Sequence, residues 1–181
     1  MVVWKVGHYM YRYPITDRQE FFMKRLISTF KEYAEDKYYE KHRTYWNTIG
    51  KNMLYNISTG VGCDTGLISE KALKTGSVTD EHVYSNVKMF NRLFELYKEG
   101  KVDLEYLKQN VQHIVPTIKT TPEENQLLKK ATSKMTIDQI RNMEHYKKCI
   151  TGLKWNPSST KKYSNVTEAM KKLIITTNLF F

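Results

Sequence analysis

With 181 residues, 40% of them apolar, the chain can bury a full core, which excludes a disordered tail and suits one domain or a domain with an extension. A net charge of +10 favours a polyanionic partner, nucleic acid ahead of an acidic membrane or protein, although the same charge would also keep a tyrosine-rich protein in solution. Cys63 and Cys149 stand far apart with no CxxC pair, which argues against a disulfide framework or zinc ribbon and fits a soluble, cytoplasmic protein, since no signal peptide or membrane span is read.

In chain order, the alternation of Val2, Trp4, Val6, His8 and Met10 with Val3, Lys5, Gly7, Tyr9 and Tyr11 predicts an N-terminal strand ended by Pro14. Thr16-Asp17-Arg18-Gln19 is a capping box, and a long helix follows with Phe22, Leu26, Thr29, Phe30 and Tyr33 on one face and Lys24, Lys31 and Glu35 outward. Tyr38 to Ile57 is aromatic and basic and can prolong that helix. Its rings pack a core or stack on bases beside phosphate contacts, two alternatives that spacing does not separate.

Ser58 to Gly66 holds three of the eight glycines and reads as a loop without the lysine of a phosphate-binding loop. Ser69 caps a short helix with Gly76 beyond it, Val78 to Tyr84 reads as a short extended piece, and Val87, Phe90, Leu93, Phe94 and Tyr97 mark a helix ended by Gly100. Asp103 caps the next helix, which Val115-Pro116 stops. Thr121-Pro122-Glu123-Glu124 opens another, Thr136 to Gln139 starts one running to about Ile150, and Asn165 to Glu168 caps a last one before Leu179-Phe180-Phe181. The fold class is mainly α within α+β, a helical domain with a small N-terminal and central β element. Residues 1–116 form its core, and 117–181 form a basic helical region packed on the same domain.

Charge is unevenly divided: residues 1–60 carry 10 Lys and Arg against 6 Asp and Glu, residues 61–116 carry 7 against 8, and residues 117–181 carry 12 against 5. Local carboxylates between cationic arms suit a cation-dependent reaction on a polyanion. The candidate centre, residues 63–92, is focused on Thr79-Asp80-Glu81-His82-Val83, where an imidazole beside carboxylates can deprotonate a water near a phosphodiester while a divalent ion neutralises the leaving oxygen. Lys71, Lys74, Lys88 and Arg92 flank it. The pairs Lys129-Lys130, Lys147-Lys148 and Lys161-Lys162 suit phosphate contacts, and solvated helix faces would look the same. The other histidines lack metal-ligand spacing, and the carboxylate-then-ExK matches at Glu35-Asp36-Lys37 and Glu99-Gly100-Lys101 fall on helical or helix-terminal sequence.

Asp80-Glu81-His82-Val83 resembles the acidic and histidine core of HNH nucleases of the ββα-metal class, a family with many phage homing endonucleases. The wider run Gly66-Leu67-Ile68-Ser69, Thr79, Glu81-His82 and Tyr84 is also similar to open reading frames of T4-like phages that carry no known activity. The nuclease resemblance implies a metal-dependent DNA endonuclease using Mg²⁺ or Mn²⁺, with His82 as general base, Glu81 beside it as a further catalytic carboxylate or a ligand, and Asp80, Asp64 and Asn91 (or Asn86) around the metal. The family places a second strand between histidine and helix, whereas here the helix begins by Asn86. The alternative is a non-catalytic DNA- or RNA-binding or regulatory protein using the same surfaces, and a third is a host-interaction protein that meets an acidic partner. The expected partner is double-stranded DNA, with a homodimer left open. The terminal Leu179-Phe180-Phe181 either docks on a sliding clamp, as short Leu-Phe peptides do, or folds onto the core.

Overall fold

A computed structural model describes residues 15–59, 63–141, 144–150 and 152–158. The expected N-terminal strand, the helix from Asn165, Lys161-Lys162 and the Leu179–Phe181 tail lie outside the described residues. The order is α1 (Asp17–Glu35), α2 (Arg43–Ser58), β1 (Asp64–Ser69), α3 (Glu70–Thr75), β2 (Thr79–His82), α4 (Asn86–Lys98), α5 (Leu104–Ile114), β3 (Thr117–Thr120), α6 (Pro122–Thr132), α7 (Ile137–Arg141), α8 (Glu144–Cys149) and β4 (Leu153–Trp155). The fold is thus mainly α, with a small four-stranded mixed sheet. No helix among the described residues is long and apolar enough to cross a membrane.

The capping signals act as their chemistry requires. The Thr16 hydroxyl accepts the Gln19 N–H and Gln19 Oε1 accepts the Thr16 N–H, both at 3.2 Å, so two orphan donors of α1 are satisfied reciprocally. Thr121 and Glu124 repeat the arrangement at α6, Ser69 caps α3 and Asp103 caps α5. Gly76 and Gly100 end their helices with φ of 71° and 70°, a backbone that a Cβ disfavours.

Helices α1, α2, α4 and α5 surround one apolar core. Leu26, Phe30 and Tyr33 of α1 are buried, as the helical spacing implies, with Phe22 partly covered. Tyr33 stacks on Trp46 of α2 at 5.3 Å and on Phe94 of α4 at 4.1 Å. Gly50 lets α2 and α4 approach, since a Cβ there would lie 2.1 Å from the Phe90 ring. The aromatic stretch does not prolong α1; the chain turns at residues 36–42 before α2 begins.

In the sheet, ordered β2-β3-β1-β4, β1 and β3 are parallel and the other pairs antiparallel. The boundary expected at residue 116 falls immediately before β3, which pairs with both β1 and β2, so residues after 116 complete the sheet begun at Asp64. The segment expected as a loop to Gly66 becomes strand at Asp64 because β3 and β4 lie on either side of β1. Of the helix expected from Thr136 to Ile150, the described residues show helix over Ile137–Arg141 (α7) and Glu144–Cys149 (α8).

Candidate functional site

The strand β2 carries the central motif, and its period of two separates the motif's members. Pairing Glu81 with Ile118 and His82 with Thr117 puts Glu81 on one face of the sheet and Asp80 and His82 on the other. Asp64 also pairs with Thr117, from the far side of β3, so two strand spacings, about 10 Å, separate it from His82. Its Oδ1 accepts the Gly66 N–H at 2.8 Å. The Asp80 carboxylate points outward and pairs with Lys119 at 3.0 Å. Asn91 of α4, expected to complete a metal site, gives its amide to Asn47 Oδ1 and the Val87 carbonyl, both at 2.8 Å. The buried Asn86 leaves Oδ1 without a hydrogen bond among the described residues. Among the described residues no group of three or more His, Cys, Asp or Glu side chains is placed to hold a metal ion. Asp80 and Asp64, expected around Mg²⁺ or Mn²⁺, thus stand on strands separated by β3, and the Asn91 amide is taken up by Asn47 and Val87.

Glu81 is 6% exposed, and no hydrogen bond or ion pair reaches its carboxyl among the described residues. Burial raises its pKa to about 7, against a smaller opposing pull from Lys129. His82 lies beside the end of α2, with Nε2 2.8 Å from Ser58 Oγ. Ser58 also sits 2.7 Å from the Tyr55 carbonyl, which can only accept, so the single hydroxyl proton is used there. His82 must then donate from Nε2, and this tautomer leaves no lone pair directed at Ser58. Burial, with a smaller effect of Lys129, lowers the proton affinity of His82, while Asp80 raises it. The imidazole is a hydrogen-bonded link between sheet and helix.

The edge of β2 is covered by α6. Val83 N–H donates to Pro116 O, which fixes the ladder so that the Asp80 carbonyl faces away from β3, where Asn125 Nδ2 reaches it at 3.3 Å. Behind this edge, the described residues leave the buried atoms Thr120 Oγ1, Glu124 Oε1, Asn125 Oδ1 and both ring nitrogens of His145 without hydrogen-bond partners. Burial pulls the pKa of His145 down to about 4 and raises that of Tyr146, where Glu81 adds a smaller push in the same direction.

The basic residues divide into two groups. Lys129 and Lys130 of α6 and Lys147 and Lys148 of α8 are exposed, and the two helices pack together. Lys71, Lys74 and Arg92 are exposed as well; Lys71 pairs loosely with Glu123 at 3.7 Å, and Lys147 pairs with Glu144 at 3.1 Å. Lys88, expected to face a phosphate, is instead turned inward to the Thr132 and Met135 carbonyls at and just beyond the end of α6, where the Thr132 carbonyl also accepts the Met135 N–H at 3.1 Å.

Asp36, which sequence reasoning missed, organises the α1–α2 turn. Its carboxylate accepts from Tyr38 N–H at 2.8 Å, Trp46 Nε1 at 2.8 Å and His42 Nδ1 at 2.9 Å. The indole hydrogen bond is the largest cause of its lowered pKa. Ser58 and Asn125 were likewise missed; nothing in their local sequence marks them, since each acts on a residue more than 20 positions away. No family model, curated protein or solved structure matches this chain.

Proposed function

We propose that this protein binds nucleic acid, gripping duplex DNA by its phosphates, without a metal-dependent cleavage centre at β2. The observation that carries this is the outward display of Lys129, Lys130, Lys147 and Lys148 on two helices packed together, within a segment of 12 basic and 5 acidic residues. Ammonium groups on rigid helices neutralise phosphates and release counterions without reading sequence. The turning of Glu81 to the face opposite Asp80 and His82 favours binding over hydrolysis.

Fluorescence anisotropy with a labelled duplex tests this. If the four lysines each neutralise one phosphate, affinity falls roughly 100-fold between 50 and 200 mM salt, and their replacement by Ala removes most of that dependence. An affinity indifferent to salt overturns the proposal. A plasmid-nicking assay with Mg²⁺ or Mn²⁺ checks its second half: cutting that disappears in His82→Ala would restore the nuclease alternative.

A further inference from the structure

We infer that the outer face of α2 and the turn before it form a stacking platform for an unpaired nucleic-acid strand; this rests on the nucleic-acid reading and names the ligand class of a second surface. The structure divides the aromatic stretch that the sequence leaves ambiguous. Tyr33 and Trp46 enter the core, whereas Tyr38 is 67%, Tyr45 61% and Tyr55 54% exposed.

On α2, Tyr45, Thr48, Asn52 and Tyr55 follow one another at spacings of three, four and three, and all are exposed, so they form one stripe along the helix. Ten residues at 1.5 Å each make the stripe about 15 Å long. At the roughly 3.4 Å spacing of stacked nucleotides this takes about four bases. Charge complements the rings: Lys37, Lys41, Arg43 and Lys51 are exposed along the same segment, against the carboxylates of Glu40 and of Asp36, the latter taken up by Tyr38, His42 and Trp46. A base offers a π-face whatever its identity, and phosphates passing beside it meet these cations.

The rings are also positioned before any ligand arrives. Asp36 fixes the turn through Tyr38 N–H, His42 and Trp46. The Tyr38 ring stands 6.2 Å from the His42 ring and Tyr55 stands 6.1 Å from His82. Lys129 of α6 lies close enough to His82 to affect its proton affinity, which links the platform to the lysine face proposed for duplex. A duplex hides its base faces within its own stack, so exposed tyrosines are productive only with unpaired bases.

The test compares wild type with Tyr45→Ala, Tyr55→Ala and the corresponding Phe variants, using labelled dT and rU oligonucleotides and a duplex of equal length. Each Ala variant is expected to weaken single-strand binding at least 5-fold while duplex affinity holds, and each Phe variant, which keeps the ring, is expected to restore it. The dT and rU arms decide whether DNA or RNA is preferred. Asp36→Ala, which removes no ring, is expected to weaken single-strand binding as well. Unchanged single-strand affinity in the Ala variants overturns the platform, as does an equal loss for both ligands. A lower melting temperature in the Ala variants overturns it too, because the stripe would then be covered by another part of the chain. If wild type binds neither ligand at low salt, the nucleic-acid reading itself has failed.

Discussion

Replacing Glu81 by Gln is expected to stabilise the protein in a pH-dependent way whose size follows from one displaced pKa. The carboxyl lies on β2 against Ile118 of β3, with Tyr146 of α8 and Lys129 of α6 the nearby titratable groups. Burial moves its pKa from the ordinary 4.5 to about 7. Because the folded value is raised, the native state holds this proton more firmly than the unfolded chain. Wild-type stability is therefore fully present below pH 4.5, declines as pH rises, and levels off above 7. At 1.36 kcal/mol per unit, the full cost is about 3 kcal/mol. Gln has nearly the shape of the protonated acid and carries no such cost. Urea titrations at pH 4, 5.5 and 8 should thus show variant-minus-wild-type differences of about 0, 1.4 and 3 kcal/mol. His145 has the opposite displacement, so its contribution is lost as pH falls from 6.5 to about 4, but it is common to both proteins and cancels in the difference. A difference that does not change with pH would refute the burial of an uncompensated carboxyl at this position.

Three further outcomes follow from the packing. Gly50→Ala should lower stability by about 1–3 kcal/mol despite the better helix propensity of Ala, because the added Cβ meets the Phe90 ring; chemical denaturation measures the loss, and adding Phe90→Leu should recover part of it. Lys88→Met should cost about 1–3 kcal/mol by leaving the Thr132 and Met135 carbonyls without their cationic donor, while duplex affinity measured by anisotropy stays at the wild-type value. His145→Phe should be more stable than wild type by a margin that widens as pH falls from 6.5 to 4, since the buried imidazole no longer has to resist protonation; thermal melts across that range give the comparison.

Helix starts were legible from the chain because the groups that satisfy one another there are three residues apart: Thr16 with Gln19, Ser69 with Ala72, Asp103 with Tyr106 and Thr121 with Glu124. The same holds for the glycine stops at Gly76 and Gly100. The identity of β2 as a short extended piece was legible too. Strands β1, β3 and β4 were not, since each is a strand by pairing with a segment far along the chain and no local signal marks it.

Composition and local spacing by themselves determined a mainly helical α+β domain, its positive charge, most of its helix caps and the presence of an acidic and histidine motif on an extended segment. Only the tertiary structure decided which strands flank β1, that Glu81 turns inward while Asp80 and His82 turn the other way, that Lys88 is a structural donor, and which tyrosines reach solvent. The physical reason is range. A cap is closed by atoms within one helical turn, whereas a carboxyl's burial, a lysine's partner or a ring's exposure depends on elements such as α6 and α8, which lie far along the chain from β2.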